Sequence, residues 1–112
     1  MDSSALEPVC TLLSHGVPLT GISGAAGSKQ YFCVDVPATH YSSYALSGGT
    51  GDADLYVKAG SAPTTTTYDC RPYKMGNAEA CSITAKTGNV RVYIMLNGYS
   101  SFSGVSLVAY YN

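Results

Sequence analysis

Two aspartates, Asp52 and Asp54, have the side chains and the spacing to bind a metal ion. They lie in the glycine-rich segment 48–59, GGTGDADLYVKA, where a turn leads into a strand-like run. Side chains alternate along a strand, so these two acids point to one face. Ca²⁺ needs several carboxylate or carbonyl oxygens around one point, and the glycine-rich turn can add carbonyls.

The same segment also supports a purely structural interpretation, which we favour. It has no third acid in register and no distal glutamate, so it is not an EF-hand loop. Asp52 can close the turn through hydrogen bonds from its own backbone neighbours, and Asp54 can order an adjacent loop. Calcium is therefore the less favoured alternative, and no other cofactor is expected in this chain.

Catalytic sequence patterns are absent. The chain contains no H-E-x-x-H, no G-x-S-x-G and no G-x-x-x-x-G-K-[ST] pattern. His15 and His40 both lie in turn-like sequence, and we interpret them as surface residues. We therefore predict that this chain is not an enzyme.

Four cysteines, at positions 10, 33, 70 and 81, can pair in three ways. No C-x-x-C pattern occurs, which argues against a zinc knuckle or a thioredoxin-type site. We favour Cys10–Cys33, which would tie the N-terminal segment to an early strand, and Cys70–Cys81, which would close a short loop. Disulfides indicate export, whereas the alternative is four buried thiols in a cytosolic protein.

The tyrosines are the strongest candidates for binding. Tyrosine offers a wide apolar area, a polar tip and little rotamer entropy to lose, which suits docking on a fibrous surface. The alternatives are that cross-strand tyrosine pairs only stabilise a solvated sheet, or that the N-terminal segment covers one face. The candidate contact residues are outward strand positions and loop residues, namely Tyr31, Tyr56, Tyr93, Tyr110, Tyr73 and Tyr99, with Arg71 and Lys74 beside Tyr73.

Composition indicates a single exported domain. Of 112 residues, 46% are hydrophobic and only 12% charged, while glycine and tyrosine are abundant. The net charge of −1 provides no field that would attract nucleic acid. No apolar run approaches the length of a transmembrane segment, and no signal peptide is recognisable. We expect residues 1–9 to be a linker or an expression remnant, and residues 10–112 to be one domain excised from a longer precursor.

Short segments with a period of two predict an all-β fold. Phe32, Val34 and Val36 alternate with outward residues, and residues 53–59, 90–96 and 104–111 show the same pattern. Residues 9–13 could form a helical turn or an edge strand. Pro18 confines its strand to the edge of a sheet. Asn97-Gly98 predicts a turn. The pattern predicts an antiparallel, jelly-roll-like β-sandwich of six to eight strands, whose order it leaves open.

Several longer segments resemble a known family. They are GVPLTGISG (16–24), KQYFCVDVP (29–37), SGGTGDADLYVKAGSAPT (47–64), the DCRPY (69–73) and GNAEAC (76–81) pair, and YSSFSGVSLVAYY (99–111). Together they resemble the bacterial pre-peptidase C-terminal (PPC) domain, most closely that of vibriolysin-type secreted zinc metalloproteases of the thermolysin family. Related domains also follow subtilisin-like proteases and aminopeptidases.

This resemblance implies an exported, extracellular accessory domain of a protease. For some members it implies attachment to insoluble proteins such as collagen or elastin, or to cell surfaces, and frequent removal during or after secretion. Zn²⁺ is then expected only in the parent catalytic domain, and we expect the accessory domain to be a monomer. Related collagen-binding domains place their calcium ligands in an N-terminal linker; this chain offers only Asp2 and Glu7 there, so that site is not transferred.

Two other functions remain open at this stage. The domain could be a removable C-terminal propeptide that assists secretion or maturation. It could also be an independent small enzyme or inhibitor, although no catalytic pattern favours that.

Overall fold

Seven β-strands form in residues 9–72 and 76–111, the parts of the chain that this computed structural model describes. No helix occurs within those residues, so the all-β class is confirmed. The strands are β1 (Thr11–Leu12), β2 (Leu19–Gly24), β3 (Lys29–Val36), β4 (Ser42–Ser47), β5 (Thr50–Ala59), β6 (Glu79–Ile83) and β7 (Val90–Tyr111). The described residues contain no helix long and apolar enough to cross a membrane.

Strand β7 belongs to both layers of a β-sandwich. Its first half pairs with β3 and with most of β5. Its second half pairs with the first residues of β5, with β2 and with β4, which in turn pairs with β6. Ile94 in the first half and Leu107 in the second are both fully buried in one hydrophobic core. A strand that bends from one sheet into the other is a known way to build such corners.

The predicted turn at Asn97-Gly98 is wrong, because both residues continue β7. Asn97 is opposite Lys29 on one side and Asp54 on the other. The Gly98 N–H donates to the Ser28 carbonyl (2.9 Å), and the Gly98 carbonyl accepts from Gly27 N–H (2.7 Å). A side chain at position 98 would collide with a backbone carbonyl of the 25–28 turn. This glycine serves close backbone approach rather than chain reversal.

The predicted antiparallel pairing holds for every strand pair among the described residues except at one edge, where β1 pairs with β3 in parallel. Cys10 is bonded to Cys33, which lies on β3. After β1 the chain leaves for β2, which pairs with β7, so β1 and β3 are not joined by a hairpin. The edge-strand interpretation of residues 9–13 is confirmed, and β2 starts directly after Pro18.

Most inward positions were predicted correctly by the period of two. Phe32, Val34 and Val36 are buried, as are the inward residues of β4, β5 and both halves of β7. Both favoured disulfides, Cys10–Cys33 and Cys70–Cys81, are present, and the chain has no free cysteine. They fix the N-terminal segment and the loop after β5 to the sandwich.

Tyr44 should make the fold sensitive to alkali. Its side chain is 1% exposed, its hydroxyl donates to Ser42 Oγ (2.8 Å), and burial raises its pKa from 10.0 to about 12. The unfolded chain therefore loses this proton near pH 10 and the folded chain only near pH 12. Below pH 10 the stabilisation is fully present. Between these values the free energy of unfolding should fall by about 3 kcal/mol, since one pKa unit corresponds to about 1.4 kcal/mol.

Urea unfolding of the wild type and of Tyr44→Phe across that pH range measures this contribution. The Tyr44→Phe variant should be less pH-dependent by the same amount. Equal pH dependence in both proteins would show that Tyr44 is not the group responsible.

Candidate functional site

Three of the candidate tyrosines lie on the outer face of the β3–β7–β5 sheet. Met95 on β7 is paired directly with Tyr31 on β3 and, on its other side, with Tyr56 on β5. Tyr93 lies two residues before Met95 on the same face, between Cys33 and Lys58. The alternation of side chains thus brings residues from three strands onto one surface.

Tyr56 is buried, which corrects its predicted exposure. Its ring is 2% exposed because the segment after β5 folds back over it. The Arg71 guanidinium lies 4.8 Å above the ring centre, and the Tyr68 ring contacts it edge-on at 5.6 Å. Cys70 holds this segment in place through backbone hydrogen bonds to Val57 (2.9 and 3.0 Å). Tyr56 therefore anchors the segment rather than meeting solvent.

The remaining candidates are spread over the molecule. Met95 on the same face is fully buried, whereas Tyr31 and Tyr93 are half-buried. Tyr99 is 75% exposed in the bend of β7, and Tyr110 is 49% exposed on its second half. Tyr73 and Lys74 lie outside the described residues.

A cluster of two histidines and two tyrosines lies near the C-terminal end of β7. The His15 ring stacks on Tyr111 at 4.1 Å, and its Nδ1 accepts a hydrogen bond from the Tyr111 N–H (3.1 Å). His40 meets Tyr111 edge-on at 5.6 Å, and Tyr110 meets His15 edge-on at 5.9 Å. Sequence reasoning missed this cluster because its members are up to 96 residues apart and follow no local pattern.

The acidic pair acquires a third carboxylate in space, from Glu79, which lies outside the 48–59 segment where no third acid is in register. Ligand oxygens of Asp52, Asp54 and Glu79 all lie within 4.8 Å of one another. Glu79 is 2% exposed and its Oε1 accepts a hydrogen bond from the Leu55 N–H (2.8 Å). The start of β6 thus lies along β5, although 24 residues separate Leu55 from Glu79.

The side chain of Asn77 makes hydrogen bonds to the backbone of the glycine-rich turn, a role predicted from the sequence for Asp52. Its Oδ1 accepts from the Ala53 N–H (2.8 Å), and its Nδ2 donates to the carbonyls of Gly48 (2.9 Å) and Thr50 (3.1 Å). Asp52 Oδ1 is buried and has no hydrogen-bond partner among the described residues. The side chain that closes the turn therefore comes from a distant loop.

Burial gives the carboxylate cluster unusual electrostatics. Desolvation raises the pKa of Glu79 to about 7. It also raises the pKa of Asp54, with the neighbouring Asp52 charge adding to the effect. Arg71 opposes that shift, with its Nη2 at 4.0 Å from Asp54 Oδ2. The Arg71 contact agrees with the expectation that Asp54 orders a neighbouring loop.

Comparison with known families decides the identity of the fold. The profile of the bacterial pre-peptidase C-terminal domain matches residues 28–94. The chain belongs to this family. The resemblance noted in the sequence is therefore confirmed, and β3, β4, β5 and the acidic pair all lie within the matched part of the PPC domain.

The relatives of this PPC domain are proteases. It is 52% identical over 100 residues to a zinc metalloprotease of Helicobacter pylori, covering 89% of this chain and 39% of the relative. It is also 52% identical over 100 residues to the hemagglutinin/proteinase of Vibrio cholerae, covering 89% of this chain and 16% of the relative. A microbial collagenase of Vibrio parahaemolyticus is 33% identical over 92 residues, covering 79% of this chain and 11% of the relative.

A solved structure shares the fold. The solution structure described as vEP C-ter 100 superimposes with a TM-score of 0.71 at 43% identity, covering 88% of this chain and 96% of the other. That isolated chain has nearly the same extent as this PPC domain. The β-sandwich of that relative was therefore solved without an attached protease.

The PPC domain is an accessory part of such proteases and not their catalytic part. It spans 39% and 16% of the first two relatives, and its family is defined as a C-terminal domain. Whatever it contributes must come from binding, from folding or from processing of the longer chain.

Proposed function

We propose that this domain attaches a secreted protease to insoluble protein, such as collagen or elastin, or to a component of a cell surface. The observation that carries the proposal is the exposure of large tyrosine rings on a rigid sandwich, above all Tyr99 at 75%. Exposed aromatic side chains that are held by a packed scaffold are favourable anchors, because little conformational entropy is lost on binding. The match to a microbial collagenase supports the choice of an insoluble protein as ligand.

Tyr99 and Tyr110 are the proposed principal contacts. Tyr110 is 49% exposed, and its ring packs edge-on against His15, which limits its motion. Tyr31 and Tyr93 would contribute secondary contacts from the outer face of the β3–β7–β5 sheet. In this proposal Arg71, which lies over the Tyr56 ring, contributes at the edge of that face. Tyr73 and Lys74 follow it closely in the sequence and complete the proposed set of contacts.

The small number of charged residues in this domain indicates what kind of ligand surface it would bind. Only 12% of the residues are charged, so the contact would be made by apolar area and by neutral hydrogen-bonding groups. Retention on a protein polymer should therefore persist at high salt, unlike the binding of a basic protein to nucleic acid.

The parent chain is proposed to be an exported metalloprotease whose Zn²⁺ lies in its own catalytic domain. Two disulfides in a domain of this size favour an oxidising, extracellular location. The similarity to a protein named zinc metalloprotease supports the choice of protease class. We propose that the domain acts as a monomer.

Co-sedimentation with insoluble collagen, elastin and cell envelopes, using Tyr99→Ser and Tyr110→Ser, tests the attachment surface. Each substitution should weaken retention about tenfold, which corresponds to the loss of one anchor worth about 1.4 kcal/mol. Val9→Ser is the control, because Val9 is an exposed apolar residue (95%) that precedes β1 and is not among the proposed contacts.

Two outcomes would contradict this surface. Undiminished retention of both tyrosine variants would exclude Tyr99 and Tyr110 as anchors. An equal loss in Val9→Ser would indicate unspecific adhesion. If the wild type were not retained on any of these materials, the removable-propeptide role would be favoured instead.

A further inference from the structure

The carboxylate cluster below the glycine-rich turn has the properties of a cation site. Two of its oxygens, Asp52 Oδ1 and Glu79 Oε2, are buried and receive no hydrogen bond from any described residue. Glu79 is 98% shielded from solvent, since only 2% of its surface is exposed. Leaving a buried carboxylate oxygen without a partner is costly, so a ligand at this position would relieve a real penalty.

The spacing of the oxygens fits one calcium ion. Ca²⁺ binds oxygen at about 2.3–2.6 Å, so two oxygens on the same ion are at most about 5 Å apart. Ligand oxygens of Asp52, Asp54 and Glu79 satisfy this limit, because all lie within 4.8 Å of one another. Asp52 is half-buried, which leaves a side open for water molecules that complete a shell of six to eight oxygens.

The charge balance also favours a divalent cation. Among the described residues, the positive partner in ion-pair contact with this cluster is Arg71, at 4.0 Å from Asp54. If all three carboxylates are ionised, one guanidinium neutralises one of them and leaves two negative charges in a poorly solvated position. Such a group of like charges is destabilising unless a cation binds it or protons neutralise it.

We propose that Asp52, Asp54 and Glu79 form a calcium site that fixes the glycine-rich turn and the start of β6 to each other. Glu79 Oε2 and Asp52 Oδ1 supply two of the ligands, and a carboxylate oxygen of Asp54 supplies the third. The ion joins β5 to β6 across a boundary where these strands share no ladder. This proposal is independent of the attachment proposal, because it concerns the rigidity of the fold.

Thermal unfolding of the chelator-treated domain in a calcium series, with magnesium as the ionic control, tests the site. Saturating Ca²⁺, about a hundredfold above the dissociation constant, should raise Tm by about 10 °C, and Mg²⁺ should raise it much less. Tyrosine-sensitised Tb³⁺ luminescence should appear and should be displaced by Ca²⁺.

Glu79→Gln and Asp52→Asn should abolish both signals. Glutamine keeps the Oε1 acceptor for the Leu55 N–H, so the backbone contact of residue 79 survives. Asp52→Asn provides an independent variant if Glu79→Gln does not fold. Asp35→Asn is the matched control, because this 60% exposed carboxylate pairs with Arg91 elsewhere on the sandwich and should leave the calcium response intact.

The proposal is overturned by any of three results. These are the absence of a calcium-dependent rise in Tm and of Tb³⁺ luminescence in the wild type, a calcium response that persists in both site variants, or an equal loss of the response in Asp35→Asn.

Discussion

Gly51→Ala should lower the free energy of unfolding by about 4 kcal/mol, through backbone strain and a steric collision acting together. Gly51 has φ of +89°, a conformation that residues with a Cβ rarely adopt. A Cβ at this position would also collide with the backbone carbonyl of Ser101 on β7. Since that obstacle is backbone, no side-chain rotation can relieve it, and the bend of β7 must move.

Gly60→Ala isolates the conformational part of this cost. Gly60 has the same φ of +89°, but no atom lies within 4 Å of a Cβ built there. Its replacement should cost only about 1–2 kcal/mol. Urea unfolding of both variants measures the difference, and equal costs would mean that the close contact between Gly51 and Ser101 is not important for stability.

Asn77→Ala should cost about 3 kcal/mol, because it removes three hydrogen bonds from a buried side chain at about 1 kcal/mol each. Two of these bonds hold the carbonyls of Gly48 and Thr50, and the third satisfies the N–H of Ala53, which is fully buried. Because the glycine-rich turn is no longer held in the variant, the amide hydrogens of residues 48–54 should exchange faster. The lower free energy of unfolding would be measured on the same variant.

Asn89→Ala provides the matched control. Asn89 is exposed and its Oδ1 accepts one hydrogen bond, from the Ala38 N–H (2.8 Å). Its replacement should cost less than about 1 kcal/mol. A loss of stability in Asn77→Ala that is no larger than in Asn89→Ala would contradict the role assigned to Asn77.

Much of the fold could be predicted because half-buried strands alternate apolar and polar residues. Phe32, Val34 and Val36 illustrate this, since all three are buried on the predicted face of β3. The period of two identifies which residues face the core, but it carries no information about which strands become neighbours. The parallel contact of β1 with β3 was therefore not predictable from local sequence.

The path of β7 shows a second limit of sequence interpretation. Asn-Gly is common in tight hairpins, yet Gly98 lies inside a strand of 22 residues. Its lack of a side chain allows the 25–28 turn to approach, and this contact depends on residues about 70 positions earlier. Glycine has more than one structural use, and only the tertiary environment decides between them.

The candidate site was predicted only in part, because tertiary contacts reassign individual residues. The alternation correctly placed Tyr56 on the face opposite Leu55, but it could not show that Arg71 and Tyr68 cover the ring. Similarly, Glu79 joins Asp52 and Asp54 through a loop that is closed by the Cys70–Cys81 disulfide. Sequence spacing alone shows that Asp52 and Asp54 share a face of one strand. It cannot show that a carboxylate from another strand, Glu79, lies beside them.

We propose that this domain holds a protease on an insoluble substrate without taking part in catalysis. The most direct measurement is the ratio of the rates on insoluble collagen or elastin and on a soluble peptide, for the parent protease with and without this domain. We expect removal of the domain to lower the rate on the insoluble substrate and to leave the rate on the peptide unchanged. An unchanged ratio, or an equal loss on both substrates, would contradict it.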